Sequence, residues 1–293
     1  MATTDSHKLF SVEGMVVAIT GGGTGIGLMM TQAFANAGAA KIYIIGRRKD
    51  KLDEAARLAP DRIIPLVGDV TSTDSLSKLT DHISQETGYI NLLCCNSGTM
   101  EPRIGVSSAD VPVAEFRKRC MALDPADWNT TFATNSTAVA FTTFAFLELL
   151  DAGNRKGNCE GRKSQVLVTT SIAGFLRVPA GLGAYPASKA AATHLVKGLA
   201  GTLVPYSIRV NGLAPGLFPS NLAAGIIKAL GAEGDDTTKE GSVPMSSIPA
   251  ARTGKADDIV GTVLYMASAA AAFMNGNIIV LDGGSISLKP STY

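Results

Sequence analysis

The stretch from Val16 to Gly38 restricts what this chain can become more than any other. Val16-Val-Ala-Ile19 is a short, β-branched apolar run that reads as a buried strand. It runs straight into Thr20-Gly-Gly-Gly-Thr-Gly-Ile-Gly27, and the residues from Leu28 to Gly38 read as a helix closed by a glycine. Strand, glycine turn and helix start together let a backbone approach a pyrophosphate, with the free N–H groups of the helix facing it. The spacing Gly21-x3-Gly25-x-Gly27 is wider than the common G-x-G-x-x-G form. Glycine-rich strand–helix turns also arise for packing alone, so the loop needs company.

The rest of the chain repeats the same alternation. Apolar runs at 16–19, 41–45, 63–67, 91–95, 165–170, 207–211 and 277–281 read as strands, and helical patterns fall at 26–37, 49–58, 74–86, 127–150, 184–203, 220–230 and 256–270. This predicts an α/β fold: one Rossmann-like, doubly wound parallel sheet with helices on both faces. A length of 293 residues suits a single large domain spanning 1–293, and 46% hydrophobic residues suffice for its core. Three stretches read as insertions or loops: 99–127, 152–163 and 232–249.

Composition also excludes some functions. A net charge of +1 gives no general attraction to nucleic acid or to an acidic membrane. The four cysteines and three histidines show no metal-ligand spacing, and the cysteines read as reduced thiols of a cytoplasmic protein. The first ten residues lack the apolar core of a secretory signal. The apolar stretch 138–150 is too short to span a bilayer.

Chemistry enters at Ala184-Tyr-Pro-Ala-Ser-Lys189. On a helix Tyr185 and Lys189 share a face, and an ammonium beside a phenol favours the phenolate. Such a phenol exchanges a proton with an alcohol or ketone oxygen near neutral pH. Pro186 biases Tyr185 away from helical geometry and places the expected helix start at about residue 186.

Taken in order, these segments resemble the classical branch of the short-chain dehydrogenase/reductase family, from about Glu13 to Gly284. The glycine loop and the Tyr185–Lys189 pair are joined by Asp69-Val70, by Cys95-Asn-Ser-Gly98 and by Asn135. Thr170-Ser-Ile-Ala-Gly174, Arg209-Val-Asn-Gly-Leu-Ala-Pro-Gly216 and Asp282-Gly-Gly284 complete the set. The resemblance implies catalytic roles for Asn135, Ser171, Tyr185 and Lys189. It implies a cofactor site built from Gly21, Gly23, Thr24, Gly25, Ile26 and Gly27, from Asp69 and Val70, and from Asn96, Ser97 and Gly98. Tyr185, Lys189, Pro215, Gly216, Leu217 and Ser220 close that site around the nicotinamide. It further implies that 232–249 is a substrate-covering loop, and a homotetramer with 138–150 and 273–284 as contact surfaces. Cys95 stands where the family has Asn, which removes hydrogen bonds that tie the central strands and puts local stability in question.

The cofactor is chosen at the end of the second strand, where an acid binds ribose hydroxyls and a base accepts a 2′-phosphate. Here Ile44-Ile-Gly-Arg-Arg-Lys49 offers no acid, and Arg47 and Arg48 suit a phosphate, so NADP(H) is expected over NAD(H). Thr24 opposes this, because many NADP-preferring relatives carry a second base there. The implied reaction is reduction of a ketone, with Tyr185 as proton donor and Ser171 holding the carbonyl oxygen. Phe175, Leu176, Val178, Leu182, Phe218 and Leu222 predict a mainly apolar pocket mouth, with Arg177 on its rim. The resemblance extends to fungal-type 3-oxoacyl-carrier-protein reductases and secondary-metabolite ketoreductases, so the expected partner is a β-ketoacyl or polyketide-like small molecule. Two other readings stay open: a non-redox lyase, isomerase or cyclase on the same scaffold, and a non-catalytic nucleotide sensor.

Overall fold

Seven apolar runs become seven parallel strands in a computed structural model, which describes residues 5–100, 102, 104–177, 182–220, 222–232 and 236–293. The strands are β1 (Val16–Thr20), β2 (Lys41–Gly46), β3 (Ile63–Val67), β4 (Leu92–Cys95), β5 (Gln165–Thr169), β6 (Arg209–Pro215) and β7 (Ile278–Leu281). Their order across the sheet is β3-β2-β1-β4-β5-β6-β7. Parallel neighbours demand crossovers, and helices supply them on both faces.

Alternation along each strand feeds two separate cores. Val16 and Ala18 of β1 face α4 (Thr73–Glu86), α7 (Ala138–Ala145), α8 (Leu147–Lys156) and α9 (Ala184–Thr202) through Leu79, Ile83, Phe146 and Val196. Val17 and Ile19 face the other way, toward α2 (Gly25–Asn36), α3 (Lys49–Ala56) and α11 (Ala256–Ala267), meeting Met30, Phe34, Leu52 and Val263. All five β1 residues are buried, which is why the run lacks the polar alternation of a one-sided strand. The chain winds outward from β1 to β3 and then returns to β4 on β1's other side. That reversal opens a crevice beyond the carboxyl ends of β1 and β4.

Several expected elements differ in detail. The long helix expected over 127–150 is divided: α6 (Pro125–Phe132) passes into a π-helical turn (Ala133–Thr137), then α7, then α8. The insertion at 99–127 carries α5 (Val113–Met121) and the start of α6, and 152–156 belong to α8, which leaves only a short connector before Ser164. Helix α9 starts at Ala184, not near 186. Pro186 lies in its first turn, where an N–H would have had no helical partner. Strand β6 begins two residues later than expected and runs on to Pro215, because Ser207 turns the chain with φ 54°. The helix expected over 220–230 contracts to α10 (Ala224–Ala229), and α1 (Ser6–Phe10) had no signal beyond its Asp5 cap. Among the described residues no helix is long and apolar enough to cross a membrane, and no His/Cys/Asp/Glu cluster could hold a metal.

Candidate active site

The crevice is built first from absences of side chain. Gly21 leaves β1 with φ 68°, a conformation that L side chains rarely adopt. A Cβ on Gly27 would stand 2.1 Å from the Gly21 carbonyl oxygen and 2.6 Å from Asn96 Nδ2, so only glycine lets α2 begin this close to β1. Thr24 caps α2 without its side chain accepting from the helix's own N–H groups, which leaves the first of them for an acceptor from outside.

Polar ties hold the neighbouring strand ends together. Thr20 Oγ1 accepts from the N–H groups of Asn96 (2.9 Å) and Ser97 (3.1 Å), and Asn96 Nδ2 donates to Thr20 O (3.1 Å). Thr169 Oγ1 donates to Asn96 Oδ1 at 3.1 Å, which brings in β5. Cys95 takes no part: it is buried in the apolar core with Sγ 4.0 Å from Thr143 Oγ1, and its thiol is pushed up to about 12 by burial. The ties attributed to the absent Asn at 95 are thus supplied by Thr20, Asn96 and Thr169.

Asn135 sits within the π-helical turn and is completely buried. Its Oδ1 accepts from Thr99 N (2.9 Å), while Nδ2 donates to Thr99 O (2.8 Å) and Ser188 Oγ (3.0 Å). The extra residue of a π turn rotates one side chain out of helical register, a device found often at functional sites. Here it clamps the loop after β4 to Ser188, the residue before Lys189. A Cβ on Gly98 would lie 3.3 Å from Asn135 Oδ1 and 3.6 Å from Lys189 Nζ, so Gly98 keeps this corner open.

Lys189 lies on α9, 4% exposed, with Nζ donating to Thr169 O at 2.8 Å and standing 5.9 Å from the Tyr185 ring centre. Burial lowers its pKa to about 8. Ser171 follows β5 and caps a 3₁₀ turn (Ile172–Gly174), its Oγ accepting from Ala173 N at 3.1 Å.

These groups surround one cavity of about 780 Å³, inside the usual range for small-molecule sites. Of the expected site residues, Gly21, Gly23, Thr24, Gly25, Ile26, Arg47, Arg48, Asp69, Val70, Asn96, Ser97, Gly98, Ser171, Tyr185, Lys189, Pro215, Gly216, Leu217 and Ser220 line it. Gly27 and Asn135 do not; both act from behind the wall. Arg48 donates to Thr24 Oγ1 at 3.1 Å, bridging the end of β2 to the glycine loop. Asp69 is held below the usual carboxylate range by hydrogen bonds from Thr71 N and Thr71 Oγ1, with Arg47 adding a favourable charge.

Leu176, Phe218, Leu222, Ile226 and Leu230 supply the cavity with apolar lining. Phe175 and Leu182 are corrections to the expected mouth, for neither lines the cavity. The Phe175 ring packs edge-on against Tyr293, and Leu182 is 63% exposed. Arg177 is likewise outside the cavity, its backbone N–H donating to Pro290 O. Val178 lies outside the described residues. Sequence reasoning missed Thr134, Ser285 and Lys289. The last two arrive because the C-terminal tail folds back, with a bridge between Leu176 and Ser291 and a 2.8 Å bond from Thr292 N to Phe175 O. No motif in the last ten residues signals that return.

The residues present fit a nicotinamide dinucleotide: an uncapped helix start for the pyrophosphate, a side-chain-free loop beneath it and a Tyr–Lys–Ser group on the same cavity. A doubly wound sheet with this site defines an oxidoreductase of the CH–OH/C=O class. The short chain dehydrogenase family model matches residues 15–230, and the chain belongs to that family. It is 45% identical over 287 residues to the short-chain dehydrogenase/reductase PhomF of Diaporthe leptostromiformis, covering 97% of this chain and 96% of that one. It is 41% identical to VdtF of Byssochlamys spectabilis, with 98% of each chain covered. Among solved structures, the Pseudomonas aeruginosa RhlG/NADP active-site complex superposes with a TM-score of 0.77 at 28% identity, covering 96% of this chain and 99% of that one. A gluconate 5-dehydrogenase from Burkholderia cenocepacia, in complex with NADP and tartrate, gives 0.76 at 28%, with 97% and 99% covered.

Proposed function

We propose that this protein reduces a mainly apolar ketone, of β-ketoacyl or polyketide-like type, to a secondary alcohol with NADPH. The observation that carries the reading is that Tyr185, Lys189 and Ser171 line one cavity together with the glycine loop and a set of apolar side chains. When bound, the nicotinamide supplies the hydride. Ser171 Oγ donates a hydrogen bond to the substrate's carbonyl oxygen, and Tyr185 gives that oxygen its proton as negative charge develops there. The buried Lys189 cation favours the phenolate that Tyr185 then becomes. Asn135 fixes the position of α9's first turn through Ser188.

NADP(H) over NAD(H) is supported by Gly46 at the end of β2 and by Arg47 and Arg48 on the cavity wall beside it. A guanidinium paired to a phosphate contributes more than a neutral hydrogen bond. The NADP complexes of two structural relatives agree with this choice. A homotetramer, with Phe141 and Phe144 of α7 half exposed for contact, belongs to the same reading.

The test is cofactor absorbance on purified protein, with NADPH and NADH offered against a panel of ketones that includes a β-ketoacyl thioester. NADPH-selective oxidation supports the reading. Tight NADPH binding without oxidation by any ketone overturns it in favour of a non-redox or binding role.

A further inference from the structure

A second cavity, of about 20 Å³, lies at the other end of the sheet's inner strands, against their amino ends. Met15 precedes β1, Leu92 opens β4, Ser164 precedes β5 and Arg209 opens β6. Three buried polar atoms on its lining residues have no hydrogen-bond partner: Arg162 Nε, Arg209 Nε and Ser164 Oγ. Arg209 is 8% exposed and Ser164 4% exposed.

Arg209's other nitrogens are committed, Nη1 to Ala271 O (2.9 Å) and Met274 O (3.1 Å), and Nη2 to Lys163 O (3.4 Å). These are carbonyls, so they satisfy donors without neutralising charge. Among the described residues no Asp or Glu lines the cavity. Asp151 is paired with Arg155, and Glu160 is exposed. Cys159 also lines it beside Arg162, but burial pushes its thiol up, so it supplies no thiolate. The two guanidiniums repel each other, and buried charge of one sign with no counter-charge is unfavourable.

We propose that Arg162, Arg209 and Ser164 form a structural site for a single small monovalent anion of halide type. The space suits one particle little larger than water, since a water needs about 10–15 Å³ of such volume. It excludes phosphate, sulfate and carboxylate ligands. The anion accepts from both Nε–H groups and from Ser164 O–H, and supplies the negative charge that no side chain brings. In doing so it fastens the connector before β5 to the start of β6, far from the catalytic cavity. The site is independent of the redox reading above.

The test compares melting temperatures in sodium chloride and in sodium gluconate at equal ionic strength, for wild type and for Arg162→Met and Arg162→Gln. Wild type is expected to melt about 3 °C higher in chloride, saturably, from mass action of a ligand bound only by the folded state. Both variants are expected to lose that difference while keeping wild-type NADPH turnover. Crystals of wild type soaked in sodium bromide give a second readout that needs no variant: an anomalous peak between Arg162 and Arg209. Equal melting in both salts, the same chloride dependence in the variants, or a cavity without bromide overturns the proposal.

Discussion

Lys189 Nζ lies 5.9 Å from the centre of the Tyr185 ring, one helical turn away along α9, with its proton donated back to Thr169 O at the end of β5. Strand β5 thus anchors the cation at the cavity wall that both residues line. Burying this ammonium comes at a cost to the fold.

That cost has a pH signature. Lys189's pKa is lowered by burial from 10.5 to about 8 in the folded state, so between those values the unfolded chain binds the extra proton. Stability contributed by this group therefore rises with pH through that window, and the penalty is fully present below about pH 8. The ligand-free Lys189→Met variant should melt above wild type at pH 7, with the gap closing between pH 8 and 10.5, as read by calorimetry. A gap that widens with pH would contradict the assignment.

Tyr185→Phe should lower turnover by about 10²–10⁴-fold, the range for a lost general acid. NADPH affinity, followed by fluorescence titration, should stay within a few-fold, because the ring is retained.

Arg47→Asp should raise the NADPH Michaelis constant by about 10–100-fold, the loss of a charge-assisted phosphate contact. NADH turnover should change little. Arg48→Ala tests the neighbouring contribution, since Arg48 also bridges to Thr24.

Gly27→Ala places a Cβ 2.1 Å from a backbone carbonyl that cannot move without displacing the glycine loop. Overpacking of this kind costs about 1–3 kcal/mol or more. A lowered melting temperature and loss of NADPH binding are the expected pair, while Gly225→Ala, with open space around its Cβ, should change neither.

Much of this was legible beforehand because parallel sheets write themselves plainly. Buried strands are uninterrupted apolar runs, and the glycine loop sits where a strand meets a helix. The Tyr185–Lys189 spacing survived Pro186 because the proline fell in the first turn, where its missing N–H is harmless. The π turn around Asn135 was not legible, since Ala133–Thr137 continues a helical pattern and only tertiary demands from Thr99 and Ser188 unwind it. Ser285 and Lys289 were invisible for another reason. Their place in the cavity depends on backbone bonds between residues over a hundred positions apart, which leave no periodic trace.

The segment that returns from Ser285 toward Tyr293 lends the cavity Ser285 and Lys289, so part of its wall comes from beyond the last strand of the sheet. Cutting the chain after Gly284 would therefore breach the cavity while leaving all seven strands in place.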